Sequence, residues 1–190
     1  KLNHSYSTGS LGAFYDGGFT EAVFGYAYRP VDNDRLNTLV KYTYFYNVPT
    51  TEQVGSQNVA SQFLQKSHIA AVDVTYDITQ NFTIGGKYAY RLGQVSLDRQ
   101  DPEFFDNNAN LYVIRGDYRF RENWEFLLEA RMLDMADLGE SRAGALATVS
   151  RYLGKHLKVG IGYNFTDFSD DLTDLSYDHS GAFLSVTGTL

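Results

Sequence analysis

Val40-Lys41-Tyr42-Thr43-Tyr44-Phe45-Tyr46 is the stretch whose reading decides the fold. Its even positions hold valine and tyrosines, while Lys41, Thr43 and Phe45 fill the odd ones. A period of two marks one face of a β-strand. The pattern repeats from Ile84 to Arg91, where Ile84, Gly86, Tyr88 and Tyr90 alternate with Gly85, Lys87, Ala89 and Arg91. The second face therefore carries charge. In a water-soluble sandwich the apolar face looks inward and the charged face meets solvent. In a membrane barrel the apolar face meets lipid and the charged face lines the lumen.

Composition narrows the choice. The 190 residues suffice for one domain, taken as 1–190, and are too few for two comfortable ones. No cysteine is present, which removes disulfides, zinc–thiolate sites and thiol nucleophiles. Aromatic residues make up 15%, with 15 Tyr and 13 Phe against one Trp, rich for a soluble domain and ordinary for a barrel with aromatic girdles. A net charge of −7 leaves no basic stripe for nucleic acid. The mean hydropathy of −0.33 excludes a helical membrane protein, because no run approaches the roughly 20 apolar residues of a spanning helix. It does not exclude spanning strands, which need apolar residues only at alternate positions. The opening Lys1-Leu2-Asn3-His4 has no leader character and reads as mid-strand, so a piece of a longer protein is expected.

Turn signals divide the chain into ten strand-like segments: Lys1–Thr8, Phe19–Arg29, Leu36–Asn47, Ser67–Asp77, Phe82–Leu97, Asn110–Phe120, Trp124–Met135, Arg142–Leu153, Leu157–Ser169 and Gly181–Leu190. Asn58–Lys66 and Leu133–Glu140 are candidates for a short helical turn each. The connections Arg29–Arg35, Asp77–Asn81, Arg119–Asn123 and Leu153–His156 are short. Val48–Lys66, Asp98–Ala109, Ala136–Ser141 and Asp170–Ser180 are longer, so short and long alternate after the first hairpin. Outer-membrane barrels show this asymmetry, with tight periplasmic turns and extended extracellular loops. The fold expected is an all-β, antiparallel up-and-down transmembrane β-barrel of about ten strands. Long loops are expected outside the cell and both termini in the periplasm.

Two sets of residues follow. The outward set includes an aromatic girdle of Tyr28, Tyr44, Tyr46, Tyr76, Tyr118, Trp124, Tyr152 and Tyr163, placed where a ring has one wet and one apolar side. Ala143, Ala145 and Ala147 fit either face. The inward set is a charge network of Glu21, Lys41, Asp73, Lys87, Arg91, Arg115, Asp117, Glu125, Glu129, Arg131 and Lys158. In a barrel of about ten strands these side chains are expected to pair across a narrow lumen and plug it. The alternative is a constriction selecting small ions.

No catalytic, cofactor or metal site is expected. His4, His68, His156 and His179 lack metal-ligand spacing. The acidic run Asp167, Asp170, Asp171, Asp174 and Asp178 lacks the glycine and fixed loop of a calcium site and reads as a solvated loop. Asp178-His179 at a barrel mouth is similar in kind to the omptin proteases, but its spacing matches no motif of that family.

Four stretches carry a wider resemblance: Gly25–Leu36, Lys41–Tyr46, Gly86–Gly93 and Gly162–Asp171. They resemble the C-terminal β-barrel region of large Gram-negative outer-membrane proteins with long repeat or adhesin-like N-terminal regions. The resemblance spans most of the chain. It implies location in the outer membrane, contact with its lipid and lipopolysaccharide, handling by the outer-membrane assembly machinery, and further strands before Lys1. One departure is the ending Ser185-Val186-Thr187-Gly188-Thr189-Leu190, where such barrels usually place an aromatic residue. The function expected is a membrane anchor or translocator of a larger surface protein. A porin-like channel is the alternative, and a surface protease the third reading.

Overall fold

The computed structural model describes residues 1–5, 19–46, 64–97, 101–154, 156–168, 172 and 180–188. Its strands are β1 (Leu2–Ser5), β2 (Phe19–Tyr28), β3 (Leu36–Tyr46), β4 (Leu64–Thr79), β5 (Phe82–Ser96), β6 (Phe105–Asp106), β7 (Ala109–Arg121), β8 (Trp124–Met135), β9 (Glu140–Leu153), β10 (Leu157–Asn164) and β11 (Gly181–Gly188). One antiparallel sheet runs β1-β2-β3-β4-β5-β7-β8-β9-β10-β11, with β6 as a flap on β5. The chain is thus all-β and up-and-down, as the alternation predicts. Among the described residues β1 and β11 do not pair with each other.

The strands are staggered. One row of partners runs Leu36, Tyr76, Ile84, Gly116, Leu128, Ala147, Tyr163 and Ala182. Leu36 opens β3 at its short-turn end, whereas Ala182 lies six residues from Gly188, the short-turn end of β11. Six residues at about 3.3 Å over seven steps of about 4.8 Å give a tilt of roughly 30°, close to what closing a sheet into a barrel requires. At that tilt the eleven residues of β3 cover roughly 30 Å, the height of a bilayer's hydrocarbon core.

The faces are inverted relative to a soluble protein. Large apolar side chains cover the convex face and stay exposed: Phe24 at 68%, Ile114 at 58%, Ile161 at 65% and Leu184 at 69%. Every Asp, Glu, Lys and Arg of the ten path strands lies on the concave face except Lys66, Arg121, Asp134 and Arg151. Those four sit within two residues of a strand end.

Several expectations change. The Ala136–Ser141 connection is a single 3-10 turn, Ala136–Leu138, closed by Gly139 at φ 63°. It is shorter than the Arg29–Arg35 turn, so loop lengths do not alternate strictly. Of the two helical candidates, Leu133–Glu140 contains this turn; in the other, Leu64–Lys66 belongs to β4, and residues 58–63 lie outside the described ones. β10 ends at Asn164 rather than Ser169; beyond it Phe165 stays exposed and its amide still donates to the Ala145 carbonyl, while Thr166 and Phe168 are buried in the interior. Ala143, Ala145 and Ala147 pair with the outward Met132, Ala130 and Leu128, which settles them on the convex face.

Candidate functional site: the concave face and the two rims

All eleven residues of the expected charge network lie on the concave face, because the registers carry one parity from strand to strand. Glu21 faces Phe45, Asp73 faces Lys87, Arg115 faces Glu129 and Lys158 faces Tyr152. The pairing differs from the expected one. Lys1 binds Glu21 at 3.0 Å, and Asn3 donates to the same carboxylate. Arg115 reaches Asp73 at 3.4 Å, two strands away. Arg131 pairs with Glu129 on its own strand, and Lys158 with Glu125, two strands away. These ion pairs run along the wall, within one strand or over one or two strand spacings, rather than across a lumen. Glycine assists: a Cβ at Gly85 would fall 2.7 Å from Arg115 Nε, so the arginine stem lies where only hydrogen fits.

The charged wall encloses a cavity of about 30 Å³ between Asp73, Gly86, Lys87, Val113, Arg115 and Glu129. That is room for about one water molecule, with several polar partners to hold it. It is not a pore.

Above this layer, toward the long connections, the interior is mostly apolar, with Thr43, Ser67 and Arg91 buried among the apolar side chains. Phe45, Ile69, Ala71, Ala89, Ala109, Leu111, Leu133 and Met135 point inward from β3, β4, β5, β7 and β8 and are buried. Phe168 and Leu172, from the segment after β10, complete the cluster. Arg91 Nη1 donates to the Leu172 carbonyl at 3.1 Å, and its guanidinium lies 5.5 Å from the Phe45 ring centre. Thr166 docks against Gly144, where any side chain would collide with it. The concave face is therefore stoppered at one end. Toward the short turns it stays open, with the inward Leu39 still 44% exposed.

Of the expected girdle, Tyr28, Tyr44, Tyr46, Tyr76, Tyr118, Trp124 and Tyr163 lie on the convex face near strand ends. Tyr152 does not. It faces Lys158 and donates a 2.8 Å hydrogen bond to Glu125, so it belongs to the concave network. A ring at a strand end suits either face by character, and its partner Glu125 decides. The short-turn belt gains Phe82, edge-on to Tyr118, and Phe120, stacked on Trp124. At the opposite end His68 packs between Tyr42 and Tyr44, with Nδ1 2.6 Å from Tyr42 Oη.

Among the described residues the histidines do not gather. His4 lies 3.0 Å from Thr20 Oγ1, His156 sits in a turn, and His179 lies outside the described residues. No group of metal-ligating side chains occurs among the described residues. Asp167 lies 4.0 Å from Arg142; Asp170, Asp171, Asp174 and Asp178 lie outside them.

No family model and no curated protein matches the chain. Among solved structures it is similar to the Pseudomonas putida toluene transporter TodX, at 11% identity and a TM-score of 0.44 over 90% of this chain. A TodX variant described as a monoaromatic hydrocarbon channel gives 11% identity and a TM-score of 0.46 over 88% of the chain. The chain spans 59% of the length of each.

Proposed function

We propose that this chain is the wall of a Gram-negative outer-membrane β-barrel, serving as the membrane anchor or translocator of a larger surface protein. One observation carries the reading: a convex face without charge between its rims, lying opposite a concave face crowded with ion pairs. Leaving Phe24, Ile114, Ile161 and Leu184 in water has no compensation, whereas lipid removes the cost at about 25 cal/mol per Å² of apolar surface. The belts of tyrosine, phenylalanine and tryptophan at both strand ends match the headgroup levels. The anchor reading draws on the interior, which is stoppered by Phe168 and Leu172 and lined by paired charges. On this reading the long connections face outward, the partners are lipid, lipopolysaccharide and the assembly machinery, and the chain performs no catalysis.

A conducting channel is the second reading, favoured by the opening of the concave face toward the short turns. The test is reconstitution. The refolded chain should float with phospholipid vesicles and resist carbonate extraction, and planar bilayers containing it should stay silent. Extraction into carbonate would refute the membrane assignment. Steady conductance would replace the anchor with the channel.

A further inference from the structure

The convex face carries charge only at its rims, and one of those places is organised. Trp124, the single tryptophan of the chain, opens β8 at the short-turn end. Its register partners are Arg121 on β7 and Arg151 on β9, one on each side. A bulge between Arg119 and Arg121 produces this placement: Arg119 still faces the inward Glu125, and the next paired residue, Arg121, has moved to the tryptophan. Two steps of about 4.8 Å set the backbones of the two arginines roughly 10 Å apart, a gap that two long side chains close on a single phosphate.

The aromatic groups fix the height of this pair. Phe120 stacks on Trp124 with ring centres 6.1 Å apart and planes at 29°, and the Arg151 guanidinium lies 5.4 Å from the indole centre. Stacked amphipathic rings settle at headgroup level, and a guanidinium over an indole is held by cation–π attraction. Both arginines are exposed. The inward cations Arg115, Arg131 and Lys158 each have a carboxylate, but neither Arg121 nor Arg151 forms an ion pair with a described residue. The remaining convex charges are unlike them: Lys66 sits over the Phe104 ring, and Asp134 is acidic, both at the other rim. Guanidinium forks take phosphate oxygens bidentately, a geometry that a lysine does not offer.

We propose that Arg121 and Arg151, flanking Trp124, form a binding site for the phosphate headgroup of an anionic glycerophospholipid. The proposal rests on the membrane-barrel reading, which puts the short turns in the phospholipid leaflet and the long connections among lipopolysaccharide. The ligand chemistry, a lipid phosphate, is common to phosphatidylglycerol and lipid A, and the position at the short turns selects the first.

The refolded full chain in detergent is offered equal amounts of phosphatidylglycerol, phosphatidylethanolamine and lipid A, and the lipid retained after purification is counted by native mass spectrometry. Wild type should retain phosphatidylglycerol. Arg121→Gln with Arg151→Gln should lower that retention by at least about tenfold, because charge-assisted bonds are lost from a site otherwise intact. Arg29→Gln with Arg35→Gln, at a turn with no tryptophan beside it, should leave it unchanged. Undiminished retention by the Arg121/Arg151 variant, or equal retention of phosphatidylethanolamine by wild type, overturns the site. Preference for lipid A overturns its assignment to phospholipid. Both variants are also tested for vesicle insertion: a wild type that fails to insert at all refutes the membrane reading, and this site with it.

Discussion

Ile114→Arg distinguishes a lipid-facing wall from a water-facing one. Ile114 lies near the middle of β7, 58% exposed on the convex face, with Gly86 and Ala130 as its lateral partners. Small neighbours give an arginine room, so any cost comes from its surroundings rather than from collision. In water, exchanging one exposed side chain for another changes stability by no more than about 0.5 kcal/mol. In hydrocarbon, an arginine near the midplane of a barrel costs about 2–4 kcal/mol, falling to about 0–1 at the interface. The comparison is therefore with Tyr118→Arg, four residues along the same face and three from the strand end at Arg121. The expected difference is about 2–3 kcal/mol, or roughly 30- to 150-fold in the folding equilibrium. Unfolding by guanidinium in phospholipid vesicles, followed through Trp124 fluorescence, measures both variants against wild type. Equal costs at the two positions, or an Ile114→Arg cost below about 0.5 kcal/mol, would refute the lipid-facing assignment.

The stopper should be separable from the wall: Phe168→Ala with Leu172→Ala removes the two inserted side chains, and bilayer recordings should change from silence to steady conductance. Gly144→Val should do the same by displacing Thr166, with the strands intact by circular dichroism. Glu125→Gln should cost about 1 kcal/mol in guanidinium unfolding, since the Lys158 pair is only partly buried and solvent screens it; an unchanged midpoint would show the pair to be inert. Glu103→Cys and Asp32→Cys supply the only thiols in a cysteine-free chain. An impermeant maleimide on intact cells should label the first and not the second, and the reverse would invert the orientation.

Much of this was legible because a spanning strand writes its environment at every second residue. Val40 to Tyr46 and Ile84 to Arg91 show the alternation directly, and the registers place those residues as the alternation implies. The ion pairs were less legible. Which carboxylate meets Lys158 depends on the stagger of β8, β9 and β10, a quantity no single strand contains. The face that Tyr152 takes depends on the same stagger. The stopper is hidden in the sequence because Phe168 follows a good strand pattern through Tyr163 and Phe165, whose alternation marks apolar residues on the outward parity. A signal was present: an inward-parity column carrying Thr166 and Phe168 beside Gly144, which leaves space for something bulky. Of the arginines around Trp124, Arg121 owes its place to a one-residue bulge that sequence alone does not reveal.

The one-ended stopper has an electrical consequence. In the proposed barrel, water entering from the short-turn side would carry ions up to the buried cluster, so an applied voltage would fall mostly across the zone around Phe45, Ile69, Leu111, Phe168 and Leu172. Arg91, 2% exposed and bonded to the Leu172 carbonyl, stands inside that zone. One elementary charge moved through 100 mV gains about 2.3 kcal/mol, comparable to the hydrogen bond that holds Leu172 in place. The guanidinium that fastens the stopper is thus also the charge on which the field acts most strongly.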